Sequence, residues 1–147
     1  MPEGKLDAEE IEQKWRQNWV ENGTYEYQES DKEVFTVDTP PPTVSGSLHF
    51  GHTYGNTLTD FMARFQRMNG KEVFFPFGYD NNGIASERLT ERELGIEHQN
   101  FSRREFQEKV REVCEEYEKD FREAMQEFAF SMSWENTYKT IEPRVQK

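Results

Sequence analysis

His49 and His52 flank the pair Phe50-Gly51, and this spacing could serve phosphate chemistry. An imidazole donates a hydrogen bond and can carry charge near neutral pH. Gly46 and Gly51 let a ligand approach the backbone. Ser45, Ser47 and the free N–H groups of a following helix add donors, and a helix N-terminus favours anions. Together these parts suit a phosphate chain with a flat base packed on the glycine. Two other readings use the same residues. The histidines could simply begin a helix, or they could ligate a metal. A metal site needs further ligands, and one cysteine with scattered acids supplies no obvious set.

A second candidate is Asp80, in the turn GYDNNG at 78–83. One carboxylate there could hold a cationic group such as the ammonium of an amino acid. It could equally cap the next helix or make a turn bond with Gly83. Glu87 and Arg88 read as solvated helix face.

The elements that must position these groups follow from periodicity. EVFTVD at 33–38 is rich in β-branched and aromatic residues and predicts a strand, which Pro40, Pro41 and Pro42 end because proline cannot donate to a ladder. Residues 52–69 predict a helix, with Tyr54, Leu58, Phe61, Met62, Phe65 and Met68 on one face. VFFPF at 73–77 is nearly continuous apolar sequence and suits a strand buried on both sides. Strand, loop, helix and strand make a right-handed βαβ unit, and the loop at 40–51 falls at the carboxyl end of its first strand, where open α/β sheets bind ligands.

Flanking elements are also legible. A helix over 7–22 opens with Asp7 and Glu10 and carries Ile11, Trp15 and Trp19 in a narrow stripe that should dock on a larger body. TYEYQ at 24–28 alternates weakly, as an edge strand would. A helix is expected at 84–94, stopped by Gly95. Another runs from the Ser102/Glu105 capping box to about 130, with Phe106, Val110, Val113, Tyr117, Phe121 and Phe128 as its stripe. SMSWENTYKTIEPRVQK, from 131 onward, shows no clear period.

Bulk properties bound the class. The 147 residues suit one domain, 14% are aromatic and 33% hydrophobic, so the chain should fold. The mean hydropathy of −1.05 indicates a very polar surface or a piece of something larger. Eighteen bases against 29 acids leave a net charge of −11. Such a surface repels nucleic acid at long range and also suits a salt-rich cytoplasm. Cys114 is the single cysteine, which fits a reducing cytoplasm. No signal segment and no run of membrane-spanning length is evident.

HFGH at 49–52 resembles the HIGH signature of class I aminoacyl-tRNA synthetases. The wider stretch PPPTVSGSLHFGH resembles the valyl-tRNA synthetases in particular, as does FFPFGYDNNGIASE at 74–87. SWENTYKTI at 133–141 is similar to the stretch before their editing insertion. Similarity is densest from about 33 to 96. The resemblance implies an α/β fold: the first half of a Rossmann-like nucleotide-binding domain with parallel strands, preceded by an N-terminal helix and followed by a long helix. Residues 1–147 would form a single incomplete catalytic domain, with 1–30 as an N-terminal helical and extended segment.

The resemblance also implies roles. His49 and His52 would be catalytic and contact the ATP phosphates. Ser47 and Gly51 would join them in binding ATP, Gly51 by letting adenine stack on the backbone. Pro41, Pro42 and Thr43 would line the amino-acid pocket, and Asp80 would bind the substrate ammonium. No structural metal is expected; Mg²⁺ would accompany ATP. The implied reaction activates valine with ATP to valyl-adenylate and charges tRNA(Val), in the cytoplasm. Three positions depart from the usual pattern: Phe50 replaces Ile or Met, Thr43 stands where Asn is common, and Asn81-Asn82 varies an often acidic or His-containing segment. The second signature, KMSKS, is absent. A second polypeptide could carry it. Two other functions fit the same residues: a non-catalytic nucleotide-binding or assembly module, and an isoleucine-type enzyme.

Overall fold

The structure is a computed structural model that describes residues 7–145; residues 1–6 of the expected N-terminal segment lie outside the described residues. Its centre is the apolar run after Gly70. β1 (Val34–Thr36) pairs in parallel with β2 (Glu72–Phe74), Phe35 opposite Val73. One residue later, past Phe75, the chain continues as β3 (Pro76–Tyr79), which pairs in parallel with β4 (Ser133–Lys139). The expected single strand at 73–77 is thus two short strands with separate partners. Proline supplies no N–H, so it stands where a strand begins rather than within a ladder. Pro76 does so here, and the register shifts between Pro76 and Gly78. Val73, Phe75, Phe77 and Tyr79, alternate residues of the run, are buried, whereas Glu72, Phe74 and Pro76 are half-buried, so one face is fully covered and the other only partly, short of the expected burial on both sides.

β4 was not expected from the sequence. Its residues are mostly polar, and only Ser133 is fully buried, so the alternation that marks a half-buried strand is missing. Tertiary partners make it a strand. Gly78 is one: a Cβ there would overlap the Tyr138 ring, so only glycine lets β4 lie this close.

The helices are α1 (Ala8–Glu21), α2 (Phe50–Met68), α3 (Ile84–Leu94) and α4 (Arg103–Glu127). Asp7 caps α1, accepting from the Glu10 N–H. Ser102 and Glu105 close a reciprocal capping box on α4. The stripe of α4 is largely core: Phe106, Val110, Val113 and Phe121 are buried, joined by Cys114 and Met125. The helix stops at Glu127, so Phe128 falls outside it and is exposed.

One expectation is overturned, and one helix packs on the side away from its apolar face. TYEYQ at 24–28 is not a strand; it turns after α1, and the Glu26 carboxylate ties it to β4 by accepting from the Ser133 hydroxyl (2.7 Å) and the Trp134 N–H (2.8 Å). More consequential is α2. Its apolar face, Tyr54, Leu58, Phe61, Met62, Phe65 and Met68, is exposed throughout. The face that docks carries Ala63 and Asp60, both buried. The Asp60 carboxylate accepts from the Ser131 N–H (2.7 Å), the Ser131 hydroxyl (2.6 Å) and Arg64 Nε (2.7 Å). Arg67 donates to the Ser131 hydroxyl and carbonyl. Likewise α1 buries no residue; Ile11 and Trp15 are exposed. Among the described residues no helix is long and apolar enough to cross a membrane.

Candidate functional site at the carboxyl edge of the strands

The loop after β1 leads into α2 at His49, and both histidines cap that helix. His49 Nδ1 accepts the Gly51 N–H (3.1 Å), while His52 Nδ1 accepts the His49 N–H (3.2 Å). The rings stack with centroids 3.9 Å apart. A nitrogen that accepts a hydrogen bond cannot carry the proton, so each neutral imidazole holds its proton on Nε2. The reading of the pair as a helix start is therefore realised through Nδ1, and each ring keeps one N–H donor beyond it. Burial, followed by the charge of His49 close by, pushes the His52 pKa down. Two Nε2–H donors at a helix N-terminus suit an anion. Gly51 is needed for this geometry: a Cβ there would sit 2.9 Å from His49 Cε1. Phe50 is exposed beside Tyr54, and Ser47 is exposed on the loop.

The second cluster is built by the end of β3. Asp80 forms a parallel bridge with Thr43: the Asp80 N–H donates to the Pro42 carbonyl (2.9 Å) and the Val44 N–H to the Asp80 carbonyl (2.8 Å). Two hydroxyls hold the carboxylate, Thr43 at 3.2 Å on Oδ2 and Thr140 at 2.9 Å on Oδ1. So Asp80 does not cap α3, which starts at Gly83 with no side-chain cap. The Ser86 hydroxyl of α3 donates to the Val44 carbonyl (2.9 Å), anchoring the loop from below. Glu87 and Arg88 are exposed, as expected of solvated face.

The structure thus brings Pro42, Thr43 and Asp80 into contact, and His49 with Gly51 and His52. Pro41 is half-buried next to Pro42. Loop 43–49 connects the two groups, with Thr43 beside Asp80 at one end and His49 at the start of α2 at the other. Among the described residues no hydrogen bond joins the histidines to Asp80. A hollow of about 680 Å³ lies elsewhere, between α1 and the end of α4, lined by Arg16, Trp19, Tyr25, Arg122 and Trp134 among others.

Sequence reasoning missed three residues around Asp80. Thr140 sits just past the unforeseen β4. Lys139 reaches Glu118 at 2.5 Å. Glu118 had a readable signal: it lies four residues after Cys114 and three before Phe121, in the buried stripe of α4. A carboxylate at such a position needs a partner.

Residues 14–147 match the family described as tRNA synthetases class I (I, L, M and V). The chain is 58% identical over 145 residues to the valine–tRNA ligase of Haloarcula marismortui, covering 99% of this chain and 16% of that protein. It is 47% identical over 140 residues to the valine–tRNA ligase of Rickettsia felis, covering 94% and 16%. Among solved structures, the ternary complex of Agrobacterium radiobacter LeuRS with tRNA and LeuAMS superposes with a TM-score of 0.79 at 25% identity, over 96% of this chain and 16% of that one. The chain therefore spans about a sixth of the length of the curated relatives it matches. A parallel-stranded fold, an imidazole-capped helix start and a match over nearly the whole length agree: this chain belongs to the class I tRNA synthetases of the I, L, M and V group.

Proposed function

We propose that the chain is the amino-terminal part of the catalytic domain of a valine–tRNA ligase, and that its loop edge receives ATP and valine. The observation that carries this reading is the helix cap at 49–52. Its backbone bonds leave both Nε2–H groups as donors at a helix N-terminus. His49 and His52 hold the ATP phosphates there, with Ser47 adding a hydroxyl, and Gly51 gives adenine a flat backbone to stack on. Pro41, Pro42 and Thr43 form the wall for the valine side chain. Asp80, already oriented by two hydroxyls, takes the ammonium.

The valine carboxylate is ionised and needs no general base. It attacks the α-phosphorus; the bond to the bridging oxygen breaks, and pyrophosphate leaves with that electron pair. The chain's contribution is alignment and stabilisation of negative charge. Mg²⁺ enters on the phosphates as part of the substrate; among the described residues no three His, Cys, Asp or Glu side chains are grouped to hold it. Transfer to tRNA(Val) and the KMSKS step belong to sequence outside these 147 residues, in the same polypeptide or a second one. The bare apolar face of α2 is where that sequence packs. A cytoplasmic location goes with this role.

The test is valine-dependent pyrophosphate exchange, alongside ATP binding, by the 147-residue chain. Weak ATP binding with little exchange is expected. Exchange at ordinary enzyme rates, or no ATP binding at millimolar concentration, contradicts the reading. Competition between valine and isoleucine for the binding site identifies the amino acid, because one methylene is worth about 1–3 kcal/mol in such a pocket, a case for which this enzyme class is itself the standard example.

A further inference from the structure

We infer that Glu118 of α4 is a positioning residue for amino-group recognition, acting through Asn81 and Thr140 to fix where the Asp80 carboxylate stands. The inference rests on the reading of Asp80 as the ammonium-binding group.

Asn81 is 4% exposed and Glu118 6%, so neither can turn to water for its hydrogen bonds. The Asn81 side-chain N–H donates to Glu118 Oε1 (2.6 Å), and its Oδ1 accepts from the Ile141 N–H (3.1 Å). An ionised carboxylate only accepts. With Glu118 on one side and a backbone N–H on the other, the Asn81 amide has one orientation. The flipped amide would set oxygen against carboxylate and N–H against N–H. This orientation clamps residue 81 to 140–141.

The consequence reaches Asp80 through a single hydroxyl. Thr140 Oγ1 accepts from the Asn81 backbone N–H (3.1 Å) and donates its one proton to Asp80 Oδ1 (2.9 Å). Thr43 supplies the matching proton at Oδ2. The carboxylate plane is held at both oxygens, and each retains a lone pair for an ammonium. Lys139 of β4 offsets the charge of Glu118 at 2.5 Å. A simpler account gives Glu118 only that ion pair. The two accounts differ in what should happen to an amine-bearing ligand.

The experiment titrates the 147-residue chain by NMR, which reads millimolar affinities. Its probes are a non-hydrolysable sulfamoyl analogue of valyl-adenylate and the same compound lacking the amino group. Glu118→Ala should weaken the amine compound about tenfold, the size of one hydrogen bond to a charged group, and leave the des-amino compound unchanged. Glu118→Gln keeps an acceptor for Asn81 and should restore most of the loss. Should Glu118→Ala fail to fold, Thr140→Val keeps the bonds of Glu118 to Asn81 and Lys139, removes both the proton given to Asp80 and the acceptor of the Asn81 backbone N–H, and should show the same selective loss. Equal weakening of both compounds, or of neither, overturns the inference. If the unaltered chain shows no preference for the amine, the Asp80 reading falls first and takes the inference with it. A preference that survives all three changes overturns the inference alone.

Discussion

Helices α2 and α4 carry similar amphipathic patterns and meet opposite fates. In α4 the stripe Phe106, Val110, Val113, Phe121 is buried core. In α2 the stripe Leu58, Phe61, Met62, Phe65 faces outward, and the helix docks instead through Asp60, Ala63, Arg64 and Arg67. Periodicity reports which side of a helix seeks burial. It is silent on whether the covering surface lies within the same 147 residues. A bare stripe of this length marks an interaction site, and each large side chain covered there would contribute about 1.5–3 kcal/mol.

The contrast can be broken most forcefully at Phe121, which is 1% exposed. Phe121→Ala should cost about 3–5 kcal/mol, the usual range for a truncated core aromatic, read by urea denaturation. Asp60→Ala comes next. It strips Ser131 and Arg64 of their acceptor and should cost about 2–3 kcal/mol. A change below half a kcal/mol would mean that α2 is not held by its polar face.

On the outward face the effect should almost vanish. Phe61 is 64% exposed, so Phe61→Ala should stay within about 0.5 kcal/mol. A large loss of stability would show that the stripe is already covered.

The smallest effect lies at the two helix starts. His52 has a lowered pKa, from burial first and His49 second. The unfolded chain then binds more protons than the folded one just below pH 6.5. Stability at the α2 start is present above 6.5 and lost as pH falls through the folded value. Glu105 at the α4 start is lowered by the Ser102 hydroxyl and then by its backbone N–H. Its contribution persists to more acid conditions, being lost only as pH falls below 4.5 through its folded value. Hydrogen exchange between pH 7.5 and 5 should therefore loosen the first turn of α2 while that of α4 holds. The reverse order would refute the assignment of Nδ1 as the acceptor.

Local chemistry in the sequence determined much of this protein. Ser102 with Glu105, Asp7, Asn69 and Gly95 mark helix ends because they satisfy or release orphan backbone groups within a few residues. The prolines at 40–42, the glycine at 51 and the histidines on either side of it mark the turn into α2 for equally local reasons. The carboxylate at 80 could be named but its partners could not. Thr43 and Thr140 reach it from 37 and 60 residues away. β4 exists because Glu26 holds Ser133 and Trp134 and Gly78 admits the Tyr138 ring, not because its own residues alternate. The outward turn of the α2 stripe was decided by Asp60 finding Ser131, 71 positions on. Propensity and periodicity are sums over neighbours along the chain; the energy of a buried carboxylate depends on which distant donors arrive beside it, and only the tertiary structure settles that.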